Sequence, residues 1–132
     1  MKKTKSIKQV STFAELSEKE RNTLYGLAAI KTLKKGEYLI REGETDQTLY
    51  VVLEGEVKIT KVVQGRITEI AALHEGDWIG EIAFTKRTPR TASVLAWTPA
   101  RVMAINKPTL NALPPETQLF FFRRMSDLAN DR

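Results

Sequence analysis

Between residues 36 and 80 the glycines fall at positions 36, 43, 55, 65, 76 and 80, with gaps of 7, 12, 10, 11 and 4. Turn signals at such intervals leave room only for short extended runs, and the residues between them supply those runs. Leu49 to Leu53 is continuously apolar, and Val57 and Ile59 then alternate with Lys58 and Thr60. Gln64-Gly65 forms a turn into Arg66 to Leu73. Thr91 to Trp97 alternates again, and Pro99 separates it from a further run, Arg101 to Ile105. A long helix cannot cross this segment. Its texture is that of an all-β barrel or sandwich.

The flanks read differently. Phe13, Leu16, Leu24, Leu27, Ala28 and Ile30 sit near helical spacing, which predicts helix over Ser11 to Ile30. Ser17-x-x-Glu20 is a capping box that starts its second part. After Lys107 the helical pattern returns, with Pro108 suited to a first turn. Pro114-Pro115 then introduces a last helix of about 16 residues. Steps of 100° place Phe121, Phe122, Met125, Leu128 and Ala129 on one stripe of it, with Leu119 and Phe120 off the stripe. The expected layout is helix, β-roll, helix, as one domain over 11–132 behind a basic tail, 1–10.

Charge is distributed unevenly. Residues 1–35 carry nine basic and three acidic side chains, while 36–132 carry twelve and thirteen, so the net +5 belongs to the amino-terminal end. A nucleic-acid footprint over the whole domain is not expected. The absence of cysteine removes disulfides, thiolate metal sites and cysteine nucleophiles. With His74 as the single histidine, His-rich metal centres and most routes to acid–base catalysis go too. The longest apolar run, Leu24 to Ile30, is far short of the ~20 residues that span a bilayer. No apolar signal core follows the Lys-rich start, so a cytoplasmic protein that is not an enzyme, holds no metal and does not insert into a membrane is expected.

Chemistry concentrates in residues 76–97. Alternation puts Arg90, Ala92, Val94 and Ala96 on one face, and the small apolar residues mark that face as interior. A guanidinium cannot shed its charge on burial and has five donors to satisfy. It therefore needs either an internal carboxylate, for which Glu81 is a candidate, or an anionic ligand. Gly80 before a short Glu81-Ile82-Ala83-Phe84 segment lets backbone N–H groups converge on an anion. Glu81 would repel phosphate unless it reaches past it to accept from hydroxyls. Inward Arg, Gly-led donors and such a carboxylate together describe a pocket for a sugar phosphate. Lys86 and Arg87 read as solvated loop charges.

Gly80-Glu81-Ile82-Ala83, six residues, then Arg90-Thr91-Ala92-Ser93-Val94 resembles the phosphate-binding cassette of cyclic nucleotide-binding domains. That family includes regulatory subunits of cyclic-AMP-dependent kinase, the bacterial catabolite activator and nucleotide-gated channels. The likeness runs from about Phe13 to Leu128, and Gly36-Glu37, Arg41-Glu42-Gly43, Leu49 to Val57 and Gly76-Asp77 fall at the family's roll turns. It implies a mainly β fold: a double-stranded, jelly-roll-like β-roll of about eight strands, an amino-terminal helix, a short cassette helix and carboxy-terminal helices. It implies that Arg90 pairs with the cyclic phosphate and Glu81 accepts from the ribose 2′-hydroxyl. Backbone N–H groups around Ile82, Ala83 and Ala92 would complete the cradle, and Gly80 would permit its turn. Thr91 matches a position where cyclic-GMP-binding members commonly carry threonine, as do some cyclic-AMP-responsive channels, although strand alternation points it away from Arg90.

The resemblance also implies a ligand, cyclic AMP with cyclic GMP as the other possibility, and no catalytic cofactor. From Lys107 only 26 residues remain, too few for the activator's long helix and helix-turn-helix, so DNA binding is not expected. Leu128 or Arg132 is the candidate cap over the base. The carboxy-terminal helix is the expected output, toward a protein partner or a second copy. The other reading is a degenerate roll that acts only as an interaction module. Trp78 and Trp97 read as core anchors, His74 as an exposed loop residue, and Glu42, Glu44 and Asp46 as a solvated turn.

Overall fold

The computed structural model describes residues 10–130, so the basic stretch 1–9 and Arg132 lie outside the described residues. Val10, placed with the tail above, is buried in the core. A short 3-10 turn, Ser11–Phe13, precedes α1 (Glu18–Leu27). Strands β1 (Ala29–Leu33), β2 (Tyr38–Ile40), β3 (Leu49–Glu54), β4 (Val57–Val63), β5 (Arg66–Leu73) and β6 (Trp78–Ile79) follow. After α2 (Glu81–Lys86) come β7 (Ser93–Ala96), β8 (Ala100–Ile105), α3 (Lys107–Ala112) and α4 (Pro115–Asn130). The eight strands form two antiparallel sheets, ordered β1-β8-β3-β6 and β2-β7-β4-β5. This is the expected β-roll.

The apolar run in β3 has a reason in the packing. Leu49, Val51 and Leu53 face a core shared with the helices, built around Phe13, Leu24 and Phe121. Tyr50 and Val52 face a second core between the sheets, with Val57, Ile79, Val94 and Val102. A strand covered on both faces cannot alternate polar and apolar residues. The β4–β5 hairpin turns on Gln64 (φ 52°) and Gly65 (φ 77°), and two successive left-handed residues match the twist of a tight hairpin.

Three expectations about helices and strands are corrected. The predicted helix over Ser11 to Ile30 is broken. Ser17 does cap α1, with the Ser17 hydroxyl accepting from Glu20 N–H and the Glu20 carboxylate from Ser17 N–H. Ala28, however, turns to extended backbone, and Ile30 pairs with Met103 across β1 and β8, because the sheet edge supplies hydrogen bonds that the helix pattern does not reveal. The strand expected from Thr91 starts only at Ser93. Finally, the α4 stripe is rotated: Phe120 is buried beside Phe121 and Met125, while Phe122 is 50% exposed. Phe120 turns inward because Phe13 and Trp78 each lie 6.2 Å from its ring.

Trp78 is a core anchor as expected, but Trp97 is 47% exposed, with the Lys58 ammonium 3.7 Å from its ring centre. His74 lies on the surface, its Nε2 3.0 Å from Glu56.

Candidate functional site

Gly80 ends β6 and turns the chain into α2 with φ 84°, in the left-handed region. Its lack of a side chain matters twice. An added Cβ would overlap Arg90 Nη1 and crowd Thr48 O, so no other residue fits without displacing the guanidinium. The first helical bond of α2 runs from Phe84 N–H to Gly80 O at 3.0 Å, which leaves the N–H groups of Ile82 and Ala83 outside the helical ladder. Buried Ala83 and Phe84 hold the short helix down, and Glu81 is buried with them.

Arg90 comes from the loop between α2 and β7, and its side chain is only 4% exposed. The loop is clamped by Arg90 N–H donating to Glu44 O and Gly43 N–H donating to Arg90 O, both at 2.8 Å. Nη2 donates to Thr48 O at 2.6 Å and to Asp46 Oδ2 at 3.1 Å, and Nη1 donates to Gly80 O at 3.4 Å. Nε is buried and has no hydrogen-bond partner in the protein. Arg90 thus does take a carboxylate, but its ion pair is with Asp46 rather than with Glu81.

Asp46 is the partner of Arg90 that the sequence reading missed when it filed the turn as solvated. The Thr48 N–H and hydroxyl donate to its Oδ1 at 3.1 and 2.7 Å, and the Tyr50 hydroxyl reaches Oδ2 at 3.4 Å. Burial pushes the Asp46 carboxyl up, but Thr48 and the Arg90 guanidinium outweigh it, and the net lies below 3.8. Tyr50 moves above 10.0, through burial first and then through the charge of Asp46. The available signal was chemical: a buried guanidinium needs an acceptor, and one turn held three carboxylates. Of the other two, Glu44 instead accepts from Arg41 N–H and Glu42 from Val62 N–H.

Arg90 and the Gly80 turn, though not Asp46, border a cleft of about 460 Å³, within the usual range for small-molecule sites. Gly80, Glu81, Ile82, Ala83, Arg90, Thr91, Ala92 and Leu128 all lie on its wall, so the two halves of the predicted cassette and the candidate cap Leu128 meet in one place. Thr91 is exposed and borders the cleft beside Arg90; the strand whose alternation pointed it away begins only at Ser93. Ile59, Ile70 and Leu73 from β4 and β5 form an apolar wall that sequence reading did not assign. From α4, Leu128 is joined by Arg124. Among the described residues no group of three or more His, Cys, Asp or Glu could hold a metal. None of their helices is long and apolar enough to cross a membrane.

A cleft with a fixed cation, convergent N–H donors, a buried carboxylate and an apolar wall suits a ligand with an anion, hydroxyls and a flat apolar part. The chain is 34% identical over 101 residues to a cAMP-dependent protein kinase regulatory subunit of Yarrowia lipolytica, covering 76% of this chain and 26% of that protein. It is 31% identical over 108 residues to the cGMP-dependent protein kinase egl-4 of Caenorhabditis elegans, covering 80% of this chain and 14% of that protein. It therefore spans about a quarter or less of the length of these relatives. A solved cyclic nucleotide-binding domain from Methylobacillus flagellatus superposes with a TM-score of 0.82 at 25% identity, covering 96% of this chain and 73% of that one. The family model for the cyclic nucleotide-binding domain matches residues 30–114, which contain the whole cassette, and the chain belongs to that family.

Proposed function

We propose that this domain, 11–132, is a non-catalytic sensor of a cyclic purine nucleotide, cyclic AMP or cyclic GMP. The observation that carries the reading is Arg90. Its guanidinium is buried at the cleft, its Nε lacks a protein acceptor, and the N–H groups of Ile82 and Ala83 stand outside the helical ladder. A cyclic phosphate supplies acceptors to all of these and to Ala92 N–H. Glu81 takes the ribose 2′-hydroxyl, and Thr91 and Leu128 border the base, with Arg132 as a further cap outside the described residues. No catalytic cofactor enters this reading, and a cytoplasmic location rests on the cysteine-free sequence.

Output passes through α4, whose Leu119 and Phe122 are exposed on the side turned away from the core, toward a protein partner or a second copy. The test is thermal unfolding with cyclic AMP, cyclic GMP and linear 5′-AMP. A ligand at a hundred times its Kd adds about 2.7 kcal/mol, so the cyclic nucleotides should raise Tm and 5′-AMP should do much less. The ion pair with Asp46 favours a second reading, in which Arg90 is purely structural and the roll is only an interaction module. No shift with any cyclic nucleotide would select that second reading.

A further inference from the structure

Arg123-Arg124-Met125-Ser126 in α4 is the one place in the sequence where two arginines stand in a row. Ser126 is exposed, and it lies on the wall of a second groove, of about 420 Å³, between α4 and α2. Lys86, the last residue of α2, is exposed on the same wall. Arg123 stands one helical turn before Ser126, at a spacing that brings side chains together. Two cations therefore neighbour the Ser126 hydroxyl. Of the nearby carboxylates, Glu81 borders this groove but is buried, and Asp127 lies around the helix in the groove with Ser11 and Asp77. A hydroxyl that follows paired arginines has the charge pattern that a kinase with an acidic substrate cleft selects.

We infer that Ser126 is a phosphorylation site for an arginine-directed serine/threonine kinase, and that its phosphate pins α4 to α2 through Lys86. The inference does not depend on a nucleotide in the cleft. Ser126 Oγ attacks the γ-phosphorus of ATP held by the kinase. The bond from that phosphorus to the β,γ-bridging oxygen breaks, ADP leaves, and the hydroxyl proton passes to the catalytic aspartate of the kinase. Ser126 sits in the last turn of α4, and helix ends open most readily, so the segment can be presented extended. Ser93 also follows an arginine by three residues, but it is held in β7, where its hydroxyl accepts from Glu42 N–H at 2.9 Å. The phosphate brings a charge of about −1.5 to −2 and three strong acceptor oxygens. Negative charge near a helix C-terminus is unfavourable by itself. Its effect on α4 is therefore set by the cations it meets: Arg123 on the same helix and Lys86 across the groove.

The experiment incubates the full chain with ATP, magnesium and the purified catalytic subunit of cyclic-AMP-dependent protein kinase, which selects acceptors behind paired arginines. Fragment mass spectra should place the phosphate on Ser126. Ser126→Ala, at an exposed helical position, should fold as before and take up none there. Arg123→Gln should slow the transfer about ten-fold or more, through the loss of one charge-assisted contact to the kinase. No incorporation, incorporation only at other serines or threonines, or an undiminished rate in Arg123→Gln would each overturn the site. Hydrogen exchange over residues 115–130 then tests the clamp. It should slow on phosphorylation of the natural sequence. Lys86→Gln should accept phosphate equally well, yet its exchange should speed up, because the charge then weighs against the helix end. Exchange that is unchanged or faster in the phosphorylated natural sequence would overturn the pairing with Lys86, as would equal slowing in Lys86→Gln.

Discussion

The Asp46 carboxylate lies 3.1 Å from the Arg90 guanidinium, joining the turn before β3 to the loop before β7 across 44 residues of sequence. Asp46 is 46% exposed on its side chain while Arg90 is 4% exposed, so the pair is unequal. Water can solvate the carboxylate if its partner is removed, but it cannot reach the guanidinium so easily.

That inequality gives opposite expectations for the two partners. Arg90→Ala should fold, because Asp46 can turn to water, and it should lose roughly 30-fold or more in cyclic nucleotide affinity. The estimate follows from the ~2–5 kcal/mol cost of truncating a buried charge pair, here guanidinium and phosphate. Asp46→Ala should instead cost stability in the free protein, by about 1 kcal/mol once solvent screening is allowed for. Saturating nucleotide should offset that loss. Denaturant unfolding with and without ligand checks both, and a collapse of apo stability in Arg90→Ala would mark Arg90 as structural.

Gly80 and Gly65 allow backbone strain to be separated from steric overlap. Both have positive φ, 84° and 77°, but a Cβ at Gly65 meets nothing within 4 Å while one at Gly80 overlaps Arg90. Gly65→Ala should carry only the conformational cost, about 1 kcal/mol, and leave affinity unchanged. Gly80→Ala should cost more and weaken nucleotide binding along with it. Equal effects in unfolding and titration would mean that the guanidinium yields easily.

Acid should act through Asp46. Its folded pKa lies below its ordinary 3.8, so its contribution to stability is fully present above that value and is lost as pH falls through the lower folded value. Between neutral pH and about 5 this pair should add no pH dependence. Asp46→Asn should flatten the acid limb of the stability curve below about pH 4. Denaturant midpoints measured for both proteins between pH 3 and 7 provide the check.

Response should be concentrated in α4. A helix of this length is marginal alone and takes its stability from the surface it packs on. Leu128 and Arg124 touch the cleft, while Phe120 and Phe121 are anchored in the core. Hydrogen exchange over residues 115–130 should therefore change on nucleotide binding more than over residues 49–73. Equal change in both segments would remove α4 as the output element.

Local chemistry was legible in the sequence where one residue type has one use. The glycine spacing marked the turns, the Ser17–Glu20 pair marked the start of α1, and Pro114-Pro115 marked the start of α4. The cassette was legible because Gly80 and Arg90 have few alternatives: one must adopt a positive φ, and the other carries a charge that burial cannot remove. Those features determine that the chain forms a glycine-turned roll with an arginine inside it. Only the tertiary structure decided what that arginine meets, which face of α4 turns inward, and where Ala28 leaves the helix for the sheet. Asp46, Phe13 with Trp78, and β8 are the partners in those decisions, each more than 40 residues away in the chain. Periodicity and spacing report neighbours in sequence, whereas ion pairs, ring contacts and sheet edges are settled by neighbours in space.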